Sequence, residues 1–323
     1  MAKETGSRTA VYAALAGNLL VGLTKIVAAM WTGSASMQSE AVHSFVDTGN
    51  ELLLLYGMRR SAQRADPSHP LGYGRELYFW SFIVALLVFA LGAGVSVYQG
   101  VMHLLHPEPI ADPLVNYIVL ALAFLFEGGS WLVSLRQFAS TKGSSGFYAA
   151  FRRSKDPPSF MVLFEDSAAL AGIAIAALGT FVSTHWNVPE FDGVASVLIG
   201  LVLATIATLL VRESKSLLIG ESANSGLRDS IVRVASADGC TVKANGVLTV
   251  QLAPDQILAA LSVEFADELR APQIEELVID IERRIQAVHP EVVSLFVKPQ
   301  TNRTFDAAIR RRFGDQVDSD PDE

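Results

Sequence analysis

The placement of lysine and arginine constrains this chain more than any other feature. Only Lys25 intervenes between Arg8 and Arg59, and no basic residue lies between Arg75 and Arg136 or between Lys155 and Arg212. Half of the residues are hydrophobic and 18% are charged, whereas soluble domains carry about a quarter charged. A helix crosses the hydrocarbon core in roughly 20 residues, so each gap holds two crossings and a short turn. The apolar runs place six spans at 9–31, 35–58, 77–104, 114–136, 160–183 and 190–212. The turns within the three hairpins, Trp31–Met37, Leu105–Pro113 and Thr184–Pro189, contain no Lys or Arg. The segments between hairpins are basic: Arg59, Arg60, Arg64 and Arg75 in one, Arg136, Lys142, Arg152, Arg153 and Lys155 in the other. Basic loops stay in the cytoplasm, so both termini are expected there. The apolar run from Ala10 is too long for a cleavable signal and lacks a small-residue cleavage pattern after it.

Residues 213–300 change character. Leu227–Ala237 reads as a helix, and Val247–Leu252 and Ile257–Phe265 read as strands. Ile274, Leu277, Val278, Ile281, Ile285 and Val288 then repeat at helical spacing behind Pro272, and Val292–Val297 closes as a β-branched strand. That α-β-β-α-β order predicts a compact α+β unit with helices on one face of a sheet. The fold class is thus an all-α six-helix transmembrane bundle over 1–212 with a small cytosolic α+β domain over 213–300. The end, 301–323, is basic at Arg310–Arg312 and acidic at Asp318–Glu323, and reads as a disordered tail. The net charge of −8 argues against nucleic acid as a partner, and the single cysteine, Cys240, excludes a disulfide framework or a multi-cysteine zinc site.

Polar groups inside the spans need a reason, because an ionisable side chain at a helix centre costs at least about 2.5–3.5 kcal/mol. On the second helix Glu40, His43, Asp47 and Asn50 follow one another at steps of three, four and three, which is one helical face. His43 and Asp47 stand one turn apart, where an imidazole nitrogen and a carboxylate oxygen can close on one ion; such a pair suits Zn²⁺, and also Mn²⁺, Fe²⁺, Co²⁺ or Ni²⁺. A His–Asp hydrogen bond that joins helices is the plainer alternative, and four polar groups on one stripe weigh against it. The fifth helix adds Glu165 and Asp166, adjacent carboxylates that repel unless a cation, a proton or both neutralise them. Against this stands Glu165 at the interface with Asp166 capping a break. Asn18 and Lys25 share a face of the first helix and suit structural pairing with Glu51 or Glu127, while Asp192 suits the dipole of the helix it opens. Small residues, Ala13, Ala16, Gly17, Ala171, Gly172 and Ala176, permit close helix contacts.

Three stretches carry a family resemblance: Gly33 to Asp47, His69 to Glu76, and Phe191 to Gly200. Through them the chain resembles the cation diffusion facilitator family of divalent metal transporters over roughly residues 10–298, in a divergent branch with a Glu-Asp pair on the fifth helix. The resemblance implies a homodimeric, proton-coupled exporter working by alternating access, with a cytosolic domain of ferredoxin or metallochaperone type. It implies a site of two residues on the second helix and two on the fifth, which fall on His43, Asp47 and Asp166. The fourth position is Val162, which cannot ligate, so Glu165, a water or a substituted neighbour completes the set. In some members the loop after the second helix holds another metal; Asp66 and His69 match two of its positions, but Tyr73 takes the third, leaving a weak site or a metal-free turn. In the cytosolic domain only His289 and Cys240 remain as ligand types, so metal bridging is not expected there.

The function expected is export of divalent metal cations, zinc first, by proton antiport, since metal binding to these residues displaces protons. The expected partners are the metal ion, protons, lipid and a second copy of the chain, with no resident cofactor, in the inner membrane of a bacterial cell. Manganese, iron and cobalt are alternative cargoes. A metal-dependent membrane enzyme is the alternative class, against which stands the lack of an HExxH motif, a nucleophile elbow or a histidine-rich loop.

Overall fold

The computed structural model describes residues 18–141, 146, 150–151, 154–236 and 242–314. The chain divides into two compact units, one of residues up to Arg60 with Glu76–Lys215, the other of Ser61–Arg75 with Ser216 onward. In the first unit six long helices run in succession: α1 (Asn18–Thr32), α2 (Ala35–Ser61), α3 (Arg75–Leu105), α4 (Pro113–Thr141), α5 (Pro157–His185) and α6 (Glu190–Ile219). By length and composition α3, α4, α5 and α6 can cross a membrane, which makes the chain an integral membrane protein. Helix α2 is as long as these, but Ser39, Glu40, His43, Ser44 and Asn50 dilute its apolar character, and all five are buried. Its polar stripe faces the protein, while Phe45 and Leu52 are exposed on it, as a crossing helix requires.

Helix α1 stops at Gly33, whose φ of +70° reverses the chain at little cost to a residue without Cβ. Just beyond it, Asp192 of α6 caps α2: its carboxylate accepts from the backbone N–H groups of Ala35 and Ser36 and from the hydroxyls of Ser34 and Ser36. Asp192 therefore serves the dipole of α2 across the bundle and not only that of its own helix, which corrects the sequence expectation. Thr32 bonds Asn116 at 2.9 Å, and the Ala111 N–H reaches the Thr32 carbonyl at 3.0 Å, so the α1–α2 and α3–α4 turns meet. Helix α3 loosens into a π-helical turn at Val88–Ala93.

Glycines bring α3 and α6 together. A Cβ at Gly100 would lie 2.7 Å from the Gly193 carbonyl oxygen, and one at Gly200 would lie 3.0 Å from that of Ala93. Without solvent to drive association, such backbone approach supplies the van der Waals contact that holds spans together. The apolar interior is filled by Met37, Val88, Leu120, Ile173, Ile199 and Leu203, with a second cluster around Leu54, Phe138, Phe151, Phe160, Met161 and Leu210.

The second unit follows the expected order. Helix α7 (Ser225–Ala235) precedes β1 (Val242–Ala253) and β2 (Gln256–Phe265), then α8 (Ala271–Val288) and β3 (Val292–Pro299). The sheet order is β1-β2-β3, antiparallel between the first two and parallel between the last two. On β2 the buried residues Ile257, Ala259, Leu261 and Val263 alternate, so one face of the sheet meets Ile231 of α7 and Ile281 and Ile285 of α8. Residues Asn302–Phe313 form helix α9, capped by the Thr301 side chain. The stretch 301–323 read from composition as a disordered tail thus opens with a helix, and 315–323 lie outside the described residues. Arg310, Arg311 and Arg312 fall in the last turn of α9, where they complement the helix dipole.

Candidate metal site in the membrane helices

Helix α2 offers its stripe to three different partners. Glu40 is fully buried and pairs with Lys25 of α1, whose ammonium lies 3.1 Å from Glu40 Oε2, 2.7 Å from Ser44 Oγ and 3.8 Å from Glu127 Oε1 of α4. Asn50 donates to Glu165 Oε1 of α5 at 2.9 Å. Between them His43, 1% exposed, places Nδ1 at 3.4 Å from Asp47 Oδ1. Among the described residues neither nitrogen of His43 nor Asp47 Oδ1 has a hydrogen-bond partner.

A cavity of about 10 Å³ opens beside this pair. Asn18 lines it from α1, Ser44, Asp47 and Glu51 from α2, Glu127 from α4, and Val162, Glu165 and Asp166 from α5. A volume near 10 Å³ is at the threshold for one water-sized occupant. Asp166 accepts from Ser130 at 3.0 Å and Ser134 at 3.3 Å, and Glu51 accepts from Asn18 at 2.6 Å.

Of the four residues expected at the site, Asp47, Glu165 and Asp166 share the cavity wall, and His43 touches it through Asp47. The helical periodicity that placed Glu40 with them is correct for the backbone, but Lys25 draws Glu40 aside. Sequence reasoning paired Asn18 and Lys25 with Glu51 or Glu127, and Asn18 does meet Glu51 while Lys25 lies 3.8 Å from Glu127, but it missed Glu40, the nearer partner of Lys25. Glu127 was noticed only as such a partner; its place on the cavity depends on which way α4 turns. Val162 lines the cavity, so the position without a donor does face the site. Among the described residues no three His, Cys, Asp or Glu side chains are drawn together closely enough to hold an ion. The donors surround the cavity with their oxygens anchored elsewhere.

In the second unit Asp66 closes a turn. It accepts from the Ser68 N–H and hydroxyl at 2.9 Å each, the His69 N–H at 2.8 Å and the Tyr73 hydroxyl at 2.7 Å, while the His69 ring lies 4.2 Å from that of Tyr73. The Tyr73 hydroxyl first, then the His69 N–H and the Ser68 hydroxyl, hold the Asp66 carboxyl well below the usual carboxylate range. His289 is engaged on both nitrogens, with Ser230 at 2.8 Å and Glu291 at 3.2 Å. Cys240 lies outside the described residues.

A bundle of apolar helices around a buried histidine and several carboxylates defines a membrane protein built around a polar interior. Residues 11–219 match the family model described as the cation efflux transmembrane domain. The chain is 40% identical over 220 residues to the human protein named proton-coupled zinc antiporter SLC30A9, mitochondrial, a match covering 67% of this chain and 39% of that protein. It is 34% identical over 219 residues to metal tolerance protein C4 of Arabidopsis thaliana, covering 67% and 48%. With the cation-efflux pump FieF of Cronobacter sakazakii it shares 26% identity over 285 residues, covering 88% of this chain and 89% of the pump. The chain thus spans well under half the length of the first of these relatives. The chain belongs to the cation efflux, or cation diffusion facilitator, family.

Proposed function

We propose that this chain exports divalent metal cations, zinc first, from the cytoplasm in exchange for protons, through His43 and Asp47 of α2 and Glu165 and Asp166 of α5. The observation that carries this reading is the group of unsatisfied atoms at His43 and Asp47. Buried polar atoms are nearly always matched, because leaving one bare costs about 1–3 kcal/mol. An imidazole and a carboxylate oxygen without partners beside an acidic cavity are a donor set that suits a divalent cation. Nitrogen with oxygen is a donor set zinc accepts, and a relative bears the name of a proton-coupled zinc antiporter. Metal arriving at such residues requires them deprotonated, which gives protons a path in the opposite sense. In this reading residues 1–212 form the membrane domain and 213–300 a cytosolic domain, both termini face the cytoplasm, and the chain works as a homodimer in the inner membrane of a bacterial cell.

The test is flux into proteoliposomes with Zn²⁺, Mn²⁺, Co²⁺, Fe²⁺ and Cd²⁺ supplied singly and a pH dye inside. Saturable zinc flux with opposed proton movement is expected. Asp47→Ala should abolish that flux while leaving expression and folding intact, and near wild-type flux in this variant would show the site to be misassigned. Flux that does not saturate points to a channel instead.

A further inference from the structure

Resting on the transport reading above, we propose that Glu127 of α4 is the metal ligand that takes the place Val162 cannot fill. Val162 lines the same cavity as Asp47 and Asp166, so α5 presents an isopropyl group where a donor is wanted. Of the acidic side chains on that cavity, three are already held. Glu51 accepts from Asn18, Glu165 from Asn50, and Asp166 from Ser130 and Ser134. Glu127 is not: among the described residues its one polar contact is the Lys25 ammonium at 3.8 Å, beyond hydrogen-bond distance. That ammonium is itself held more closely by Ser44 and Glu40, at 2.7 and 3.1 Å.

His43 supplies an independent sign: it stands 3.4 Å from Asp47 on the cavity wall, is 1% exposed, and among the described residues neither of its nitrogens has a hydrogen-bond partner. The uncommitted donors are therefore His43 and Asp47 from α2 and Glu127 from α4. Asp166 joins them from α5, one turn after Val162 on the same wall, since a carboxylate has about four lone-pair sites and its two serines occupy only part of them; in this set Glu127 replaces Glu165, which stays with Asn50. One nitrogen and three oxygens on three helices make a four-donor set, which zinc accepts and which harder ions such as Mn²⁺ tolerate. Lys25 has a place in the same arrangement. Bringing a bare carboxylate to membrane depth is costly, and an ammonium at 3.8 Å offsets that charge without occupying the Glu127 oxygens.

The experiment is calorimetric titration of the purified full-length chain with zinc chloride and manganese chloride. Wild type, Glu127→Gln, Val162→His and the double variant are compared. Disturbing even an outer-sphere partner of a metal costs about tenfold or more in affinity, so Glu127→Gln is expected to weaken zinc binding by at least that. The double variant should recover zinc affinity to near wild type, with zinc gaining on manganese, because the imidazole at 162 supplies the missing donor. Unchanged zinc binding in Glu127→Gln overturns the proposal. So does a loss that Val162→His fails to repair, since Glu127 then acts through charge or folding alone. If Glu127→Gln does not fold, Glu127→Asp replaces it: a ligating carboxylate shortened by one methylene changes the zinc-to-manganese ratio, and an unchanged ratio refutes ligation. A wild type that binds neither metal would sink the transport reading itself, whereas zinc binding that needs Asp47 but not Glu127 overturns this inference alone.

Discussion

Individual side chains in this protein act through what they are denied as much as through what they touch. His43 and Asp47 sit 3.4 Å apart with atoms unsatisfied among the described residues, while Glu40, one turn away on the same helix, gives Oε2 to Lys25 and keeps only Oε1 without a partner. Two buried charges with good geometry can offset their desolvation, whereas one alone cannot, so Lys25 and Glu40 are readily understood as structure. At Gly172 the missing Cβ leaves the space that Glu40 Oε1 occupies. Outside the membrane, Asp66 is a residue whose ionisation is tied to its turn. Its pKa is depressed, so the stabilisation it brings is present above the ordinary carboxylate range, about 3.9, and is lost as pH falls below that range. Removing the largest contributor with Tyr73→Phe should move the Asp66 titration up toward the ordinary value and loosen the turn at a higher pH. Carboxyl ¹³C chemical shifts against pH would show this, and an unmoved midpoint would mean that the tyrosine bond is absent in solution.

At the scale of elements, the position of α2 is set from outside itself. Its first turn is capped by Asp192 from α6, and its middle is tied to α1 by Lys25 and to α5 by the Asn50–Glu165 bond. The contact between α3 and α6 depends on glycine in the same sense that a joint depends on clearance. Gly100→Val places atoms where the Gly193 carbonyl and Val197 already lie, and overpacking of this kind costs typically about 1–3 kcal/mol. The expected result is a lowered melting temperature in detergent. Thermal stability equal to wild type would mean that α3 and α6 do not approach as described.

For the whole molecule, the distribution of Lys and Arg predicts an orientation that can be tested without any functional assay. In a Cys240→Ser background, Pro109→Cys in the α3–α4 turn should react with an impermeant thiol reagent from the extracytoplasmic side. Arg64→Cys, between α2 and α3, should react only after the membrane is opened. The reverse pattern would invert the topology and with it the direction of transport proposed above. The second unit incorporates Ser61–Arg75 in addition to the segment from Ser216 onward, a division that no linear reading of composition suggests.

Much of the architecture was legible because its causes are local. The bilayer demands runs of about 20 apolar residues, basic residues mark the loops between them, and Ile281 and Ile285 fall on one face of α8 by helical period alone. The residues His43, Asp47, Glu165 and Asp166 announced themselves because charge is expensive in an apolar helix. What the sequence could not determine is which of these polar groups face one another. Periodicity placed Glu40 with His43, yet Lys25, fifteen residues earlier, takes it; Asp192 was assigned to its own helix, yet it caps α2 from 157 residues away. The stripe on α2 therefore divides among partners from α1, α5 and the cavity, and Glu127 reaches that cavity from α4 on the face that also carries Ser130 and Ser134, whose direction only packing against α5 decides. Helix rotation and crossing are decided by the packing of distant faces, and those contacts exist only once the chain has folded.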